Sequence, residues 1–484
     1  MSITGALNSA LSGLSAASLR AEVVSANVAN ANTKSYSRRD VVLSAGLAGG
    51  RLPGVSVVGV TRQQDPGLTG QRREAEAGLA NAQTRGSFFS KLEAQIGLPG
   101  SANSLNDGIK LFGKSLIEAA SRPDSVARLS TVFASAEAVA AKLNDLSDYI
   151  QDARLTADQE IAAGVNQINV SMAQVADLNE KIIQLGATSR DAAGLFDERA
   201  RLIDGIAELL PVREIARPNG AVALYTIGGS ALLDGKAAEI VFAPVRELTV
   251  FMTQSGGGLS GIEINGAQVT PNSATGAISG GKLAALFDVR DELGPGAQRE
   301  IDAFARNLIE RFEDASIDGT RAPSSPGFFT DAGGVLDPSD EVGLAERITV
   351  NPLIDPENGG DLWRIRDGLG AVAPGDVGDA RLLNAMSDAL TTSSAANSGS
   401  FTSARSSEGL ASDILSSVST ASFQAESSVG YRTATRDTLM TAELQNGVDT
   451  DRELSDLLII EQAYAANARV IATLDSLIQQ LLRI

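Results

Sequence analysis

Apolar residues recur in steps of four and three at both ends of this chain. Near the start, Ile3, Leu7, Ala10, Leu14, Ala17, Ala21, Val24 and Val28 hold that spacing. It is the pattern of a coiled-coil seam on one long helix. At the other end Leu457, Ile460, Tyr464, Asn467, Ile471, Leu474, Ile478 and Leu481 repeat it. Neither seam has a partner nearby in sequence, so the pattern predicts that the two terminal helices pair with each other. Asn467 is polar at a seam position. It either fixes register at a cost in stability or sits at the edge of the seam in water. Tyr464, the one aromatic of its helix, reads either as a core filler or as an anchor between neighbouring subunits. Thr450 and Glu453 have the spacing of a capping box at the start of this helix.

The middle is helical first and extended later. From Gln71 to Leu210 two further stripes appear: Val132, Ala136, Val139, Leu143, Leu146 and Ile150, then Ile161, Val165, Ile168, Met172, Val175, Asn179 and Ile182. Each predicts a helix, and a third opens at Leu195 and stops at Pro211. From Val212 the period shifts towards two. Ala221–Ile227, Glu239–Phe242, Glu247–Thr253 and Gly261–Val269 read as strands of a small antiparallel sheet. Helix resumes near Lys282, the Gly-, Pro- and Asp-rich stretch from Gly319 to Gly378 reads as loop, and a last long helix runs from about Ser403 to Gln445. The predicted fold is mainly α with a small antiparallel β subdomain, elongated and multi-domain. Residues 1–33 and 447–484 form the two halves of an inner coiled coil, and 34–70 a connecting segment. Residues 71–446 form an outer helical body with its β subdomain at about 212–278.

The first helix has an unusual surface. Between Ser2 and Asn32 only Arg20 and Glu22 are charged, and Gly5 and Gly13 interrupt it. Each glycine costs about 1 kcal/mol against alanine in a helix. A solvated helix carries charge on its outer face, so this one is suited to being surrounded by other protein.

Composition narrows the chemistry. The 484 residues include no cysteine and no histidine. That excludes disulfides, thiol nucleophiles, Cys-ligated metals and a Ser–His–Asp triad, and removes the usual general base at neutral pH. The net charge of −19 argues against a nucleic-acid groove. No catalytic residue, cofactor or metal site is predicted. Met1 to Leu19 lacks the basic residues of a secretory signal, and no apolar run approaches the roughly 18 residues of a membrane span.

Three motifs suggest chemistry. Gly108 to Ser115 satisfies the phosphate-loop pattern, with Lys114 as its lysine. The stretch before it is loop, not strand, and Ile109, Leu111 and Phe112 serve a helix better than a phosphate cradle. Gly256, Gly258 and Gly261 satisfy a dinucleotide pattern, but a strand follows where that fold needs a helix N-terminus. Asp449, Asp451 and Glu453 cluster without the spacing of a calcium loop, and helix capping accounts for them. A P-loop nucleotide-binding protein with terminal coils remains the alternative from another class.

Ala26-Asn27-Val28-Ala29-Asn30-Ala31-Asn32-Thr33, with Tyr36-Ser37-Arg38 after it, resembles the amino-terminal signature of the flagellar axial proteins, the rod, hook and hook-associated family. Gln462-Ala463-Tyr464-Ala465-Ala466-Asn467-Ala468-Arg469-Val470-Ile471 resembles their carboxy-terminal signature. Ser35 stands where the family often has glycine. Asp197-Glu198-Arg199, Gly280 to Leu286 and Arg290-Asp291 resemble the members that join hook to filament. Rod and hook proteins have strand-rich middles, so a helical middle favours the junction members over a hook or distal rod protein. The resemblance implies a non-enzymatic structural subunit, exported without a cleavable signal peptide through the flagellum's own type III apparatus to an extracellular position in the flagellum. It implies partners too: further copies of itself in a ring, the hook protein, a second junction protein or the flagellin side, and a cytoplasmic export chaperone on the C-terminal helix. It implies neither nucleic acid nor membrane as partner. The assembly interface would comprise Ile3, Leu7, Leu14, Val24, Val28, Leu457, Ile460, Tyr464, Asn467, Ile471, Leu474, Ile478 and Leu481. The separate outer β domain that the family often carries near Gly319–Gly334 has too few residues here and is expected to be absent or vestigial.

Overall fold

A computed structural model of the chain describes residues 3–33, 36–45, 54–101, 103–189, 191–269, 271, 276 and 278–482. The turn at Ser35 lies outside the described residues. Helix α1 (Ile3–Asn30) leads into an antiparallel hairpin of β1 (Arg38–Ala45) and β2 (Val55–Gln63). The segment expected to be a plain connector is therefore a two-stranded ribbon. Its Val-rich composition suits a pleated surface, and Val60 N–H donates to Thr188 O at 3.0 Å, tying the ribbon to the body.

The body begins with α2 (Pro66–Ile96). Proline fits its first turn, where no N–H is needed, and the Asp65 carboxylate accepts from Gly67 and Leu68 N–H as its cap. Helix α3 (Leu105–Ala120) follows, then α4 (Val126–Leu185) and α5 (Ala192–Leu209). The two central stripes, expected on separate helices, share the single 60-residue helix α4, which at 1.5 Å per residue is about 90 Å long. What hid the continuity is the stretch between them. There Arg154 and Asp158 are polar yet buried: Asp158 pairs with Arg290, and Arg154 donates to Arg290 O and Met252 O, so the buried face continues through polar contacts.

The extended region forms two small sheets instead of one. Strands β3 (Val212–Ala216), β4 (Val222–Thr226), β5 (Ala231–Asp234) and β6 (Lys236–Ala237) pair in sequence order. Strands β7 (Ile240–Val241), β8 (Ile262–Ile264) and β9 (Ala267–Val269) make the second sheet. Glu247–Thr253, read as a strand, is instead turns. Arg154 Nη2 donates to Met252 O at 2.7 Å, so a buried guanidinium takes an acceptor that a neighbouring strand would otherwise use.

Helix α6 (Gly281–Asp288) runs through one wide turn, Val289–Leu293, into α7 (Gly294–Glu313). It crosses α4 at Gly164, where a Cβ would lie 2.8 Å from Leu283 Cδ2. The stretch read as loop holds β10 (Phe329–Asp331), α8 (Leu344–Arg347), β11 (Ile348–Val350) and α9 (Arg364–Asp367). It is ordered by burial: Phe328 and Phe329 stack with Phe112 and Phe312 at centroid distances of 5.3 to 5.9 Å. Helix α10 (Arg381–Thr391) precedes α11 (Ser407–Gln445), which returns along α2, and α12 (Thr450–Leu481) then pairs with α1.

Candidate assembly interface

Helices α1 and α12 run antiparallel. Ala17, Val24 and Ile460 form one buried cluster, with Ala21 and Leu457 packed against it. Of the thirteen seam residues named from sequence, Val24, Ile460 and Leu474 are buried. Ile3, Leu7, Leu14, Val28, Leu457, Asn467, Ile471 and Ile478 are half-buried. Tyr464 is 44% exposed and is not a core filler within this chain. The side chain of Leu481 lies outside the described residues. Helix α1 also buries Ala16, Val23 and Asn27, off the seam, because the β1–β2 hairpin covers a second face of it. A further set on α12, including Ile459, Val470 and Leu477, is 44–56% exposed, and Leu454 and Leu458 are uncovered as well.

A buried polar network closes the base of the coil. Asn27, fully buried, donates from Nδ2 to Glu453 Oε2 at 3.0 Å and to Arg39 O at 2.9 Å. Its Oδ1 accepts from Arg39 N–H at 3.0 Å and from the Tyr36 hydroxyl at 2.9 Å. Arg38 Nε donates to Glu453 Oε1 at 2.6 Å. Glu453, expected to cap α12, is instead fully buried in this network, and the cap is the Asp449 carboxylate, which accepts from Asp451 and Arg452 N–H. Burial pushes the Tyr36 phenol up. Burial pulls the Arg38 guanidinium down, but the Glu453 hydrogen bond and the nearby carboxylates outweigh it and raise its pKa. With Asn27 and Glu453 paired through all their side-chain polar atoms, such a network specifies geometry.

Outside it, the Asp197-Glu198-Arg199 triplet splits its roles. Asp197 accepts from Arg39 and, at 2.7 Å, from Arg62, latching the hairpin to α5. Glu198 pairs with Arg201 at the surface. Arg199 is buried and donates to Asn179 Oδ1 at 2.8 Å and Gly220 O at 2.7 Å. Burial draws its pKa down to about 10. A cavity of about 340 Å³ separates the coil's base from the body, lined among others by Tyr36, Arg72, Arg73, Asp204 and Glu443.

The motifs that suggested nucleotide binding are placed elsewhere. Gly108 to Ser115 lies inside α3, where no strand precedes it. Lys114 is exposed and reaches Glu118 at 3.6 Å, one turn along. Such a pair contributes about 0.3–0.5 kcal/mol. Lys114→Ala should therefore leave the melting transition nearly unmoved and assembly intact. Magnesium-dependent ATP binding that disappears in this variant would contradict that expectation. The Gly256–Gly261 stretch is a turn leading into β8. Among the described residues no group of three or more acidic side chains is placed to hold a metal ion.

Three family profiles match the chain. One described as the flagellar hook-associated protein FlgK helical domain covers residues 90–329. The flagella basal body rod protein profile covers 7–36, and the flagellar basal body rod FlgEFG protein C-terminal profile covers 445–484. The flagellar hook-associated protein 1 of Bacillus subtilis (strain 168) is 24% identical over 510 residues, spanning 98% of this chain and 97% of that protein. By these matches the chain is similar to the flagellar hook-associated protein 1 family. The relative of the same name from Salmonella typhimurium is 27% identical over 311 residues, and the match spans 62% of this chain and only about half, 55%, of that protein. The solved flagellar hook junction protein FlgK from Burkholderia pseudomallei is 17% identical, with a TM-score of 0.42 over 54% of this chain and 46% of that one.

In this chain the amino-terminal signature meets the start of α12. Asn27 and Arg38 of that signature bond Glu453, nine residues before the carboxy-terminal signature begins, and Tyr36 joins them through Asn27. Reading the seam by apolar spacing missed all four, because their contribution is polar. Burial of Asn27 among Ala and Val was the one available signal.

Proposed function

We propose that this chain is a non-enzymatic structural subunit joining the hook to the filament of the bacterial flagellum. Its inner coil would be residues 1–33 with 447–484, and its outer body residues 71–446. The observation that carries the reading is a helical body set between two axial-type ends, matched along nearly its full length by a hook-associated protein 1. The uncovered apolar residues of α12 support self-association. Ile459, Val470 and Leu477 are exposed on a helix whose seam is already occupied, and exposed apolar patches mark contact sites. Its partners are then further copies of itself, the hook protein and the first filament-side protein, with an export chaperone on the same helix before assembly. Its place is extracellular, in the flagellum. Among the described residues no helix is long and apolar enough to cross a membrane.

Deleting the gene should leave cells with hooks and no filaments, and supplying the full chain should restore filaments. Filaments that persist in the deletion strain would overturn the reading. Loss of hooks as well would favour a rod or hook role.

A further inference from the structure

Gly13 occupies the middle of α1 although glycine there costs about 1 kcal/mol against alanine. The fold supplies a reason. A Cβ on Gly13 would lie 2.9 Å from both Nδ2 and Oδ1 of Asn467, and 3.0 Å from its Cγ. The Asn467 amide is held by its own helix, Nδ2 donating to Ala463 O at 3.0 Å. The asparagine on the α12 seam thus lies directly over a position of α1 that has no side chain to obstruct it.

The rest of the seam says little about alignment. Ala10, Ala17, Val24, Ile460 and Leu474 are all apolar and would find apolar partners after a slide of one heptad. Such exchanges are tolerated when volume is roughly kept. Asn467 would not find an equivalent site. One heptad either way from Gly13 stand Ala6 and Arg20, both with a Cβ. The other glycine of α1, Gly5, is eight residues away and so about 80° round the helix.

The spacing ties this contact to the base of the coil. Gly13 precedes Asn27 by fourteen residues, and Glu453 precedes Asn467 by fourteen. In an antiparallel pair, the alignment that seats Asn467 on Gly13 is therefore the one that brings Asn27 to Glu453. We propose that Gly13 and Asn467 form a register lock for the terminal coil, two heptads from the Asn27–Glu453 pair and in phase with it. A polar residue at a single seam position specifies register in this way. The lock concerns the chain's own pairing and rests on the flagellar reading only for the readout in cells.

The chain has no cysteine, so an introduced pair reports alignment without background. Ala17→Cys with Ile460→Cys places two thiols in one buried cluster of the full chain, and a one-heptad slide moves them about 10 Å along the axis. A short thiol crosslinker should join them efficiently. Gly13→Ala in that background should lower the intramolecular yield about tenfold, as an overpacked contact would. Adding Asn467→Ala should restore it. In cells, without the cysteines, Gly13→Ala should lose filaments and Gly13→Ala with Asn467→Ala should regain them. If helix propensity alone mattered, Gly13→Ala would cross-link and assemble as well as the parent or better, and that result would overturn the lock. Failure of Asn467→Ala to rescue, or a parent pair that never cross-links, would overturn it too. Crosslinking does not depend on what the flagellum does with the protein. An unsubstituted chain that cross-links but cannot restore filaments would defeat the functional reading and leave the lock standing.

Discussion

Leu474→Asp is expected to abolish filament assembly while leaving the outer body folded. Leu474 is 9% exposed, one of few α12 side chains that α1 covers well. The substitution removes about 1.5–3 kcal/mol of apolar burial. It also places a carboxylate where it must be desolvated without a partner or take up a proton, which costs several kcal/mol more. The coil is a poor place to absorb that loss. Among the described residues its cluster holds Ala17, Val24 and Ile460 as buried members, against the large continuous core of the body. In a ring, each subunit would carry the same defect. Cells should make hooks, export the protein and release it into the medium without filaments. The purified variant should keep the body's thermal transition within about a degree or two, since distant sites act independently. Normal filaments, or collapse of that transition, would show that the seam or the division between coil and body is misplaced.

Which parts of this structure could be read from sequence follows from how each is held together. The coil and the two stripes of α4 are legible because their contacts are apolar and periodic: Val132, Leu143, Ile161 and Met172 are all fully buried where the spacing put them. The union of those stripes into one helix was not legible. Its link, from Arg154 to Asp158, is polar, and apolar spacing scores polar residues as surface. The same blindness concealed Glu453, whose position fits a capping box and whose burial depends on Asn27 and Arg38, more than four hundred residues away in the chain. The β1–β2 hairpin was passed over for a different reason. Its strands carry apolar residues on both faces, with Val42, Leu43, Val57 and Val58 exposed, so the alternation that marks a half-buried strand is lost. The segment after Gly319 shows that Gly, Pro and Asp predict the lack of long elements but not a lack of order. Phe328, Phe329 and Ile348 anchor it in the core.

The polar link in α4 is also where a single substitution should do most damage to the body. Arg290 and Asp158 are fully buried, with Nη1 2.7 Å from Oδ1. Asp158 Oδ2 accepts from Val245 N–H at 2.8 Å, and Arg290 Nη2 donates to Ser260 O at 3.0 Å. The guanidinium lies 4.8 Å from the centroid of Phe287. Three parts of the chain thus meet on one charge pair: α4, the wide turn before α7, and the connection from β7 to β8, which is held at both of its ends. Arg154, close by, has its pKa drawn down to about 10 by burial, and it leans on Arg290 O at 2.8 Å. Asp158→Ala would leave Arg290 with Asp291 as its remaining carboxylate and strand the Val245 N–H. Breaking a buried pair from one side costs about 3–5 kcal/mol. For a body of this size that is a fall of roughly 4–6 °C in the melting midpoint. Replacing both partners, Asp158→Leu with Arg290→Met, should recover part of the loss, because no charge is then left uncompensated. It should not recover all of it, since Val245 N–H and Ser260 O still lack partners. Crosslinking of Ala17→Cys to Ile460→Cys should be the same in all of these backgrounds, because the site's partners Val245, Ser260, Asp291 and Arg154 all belong to the body. An Asp158→Ala body that melts with the parent would mean that water or Asp291 compensates the arginine fully, and that the buried pair does not hold the β subdomain in place.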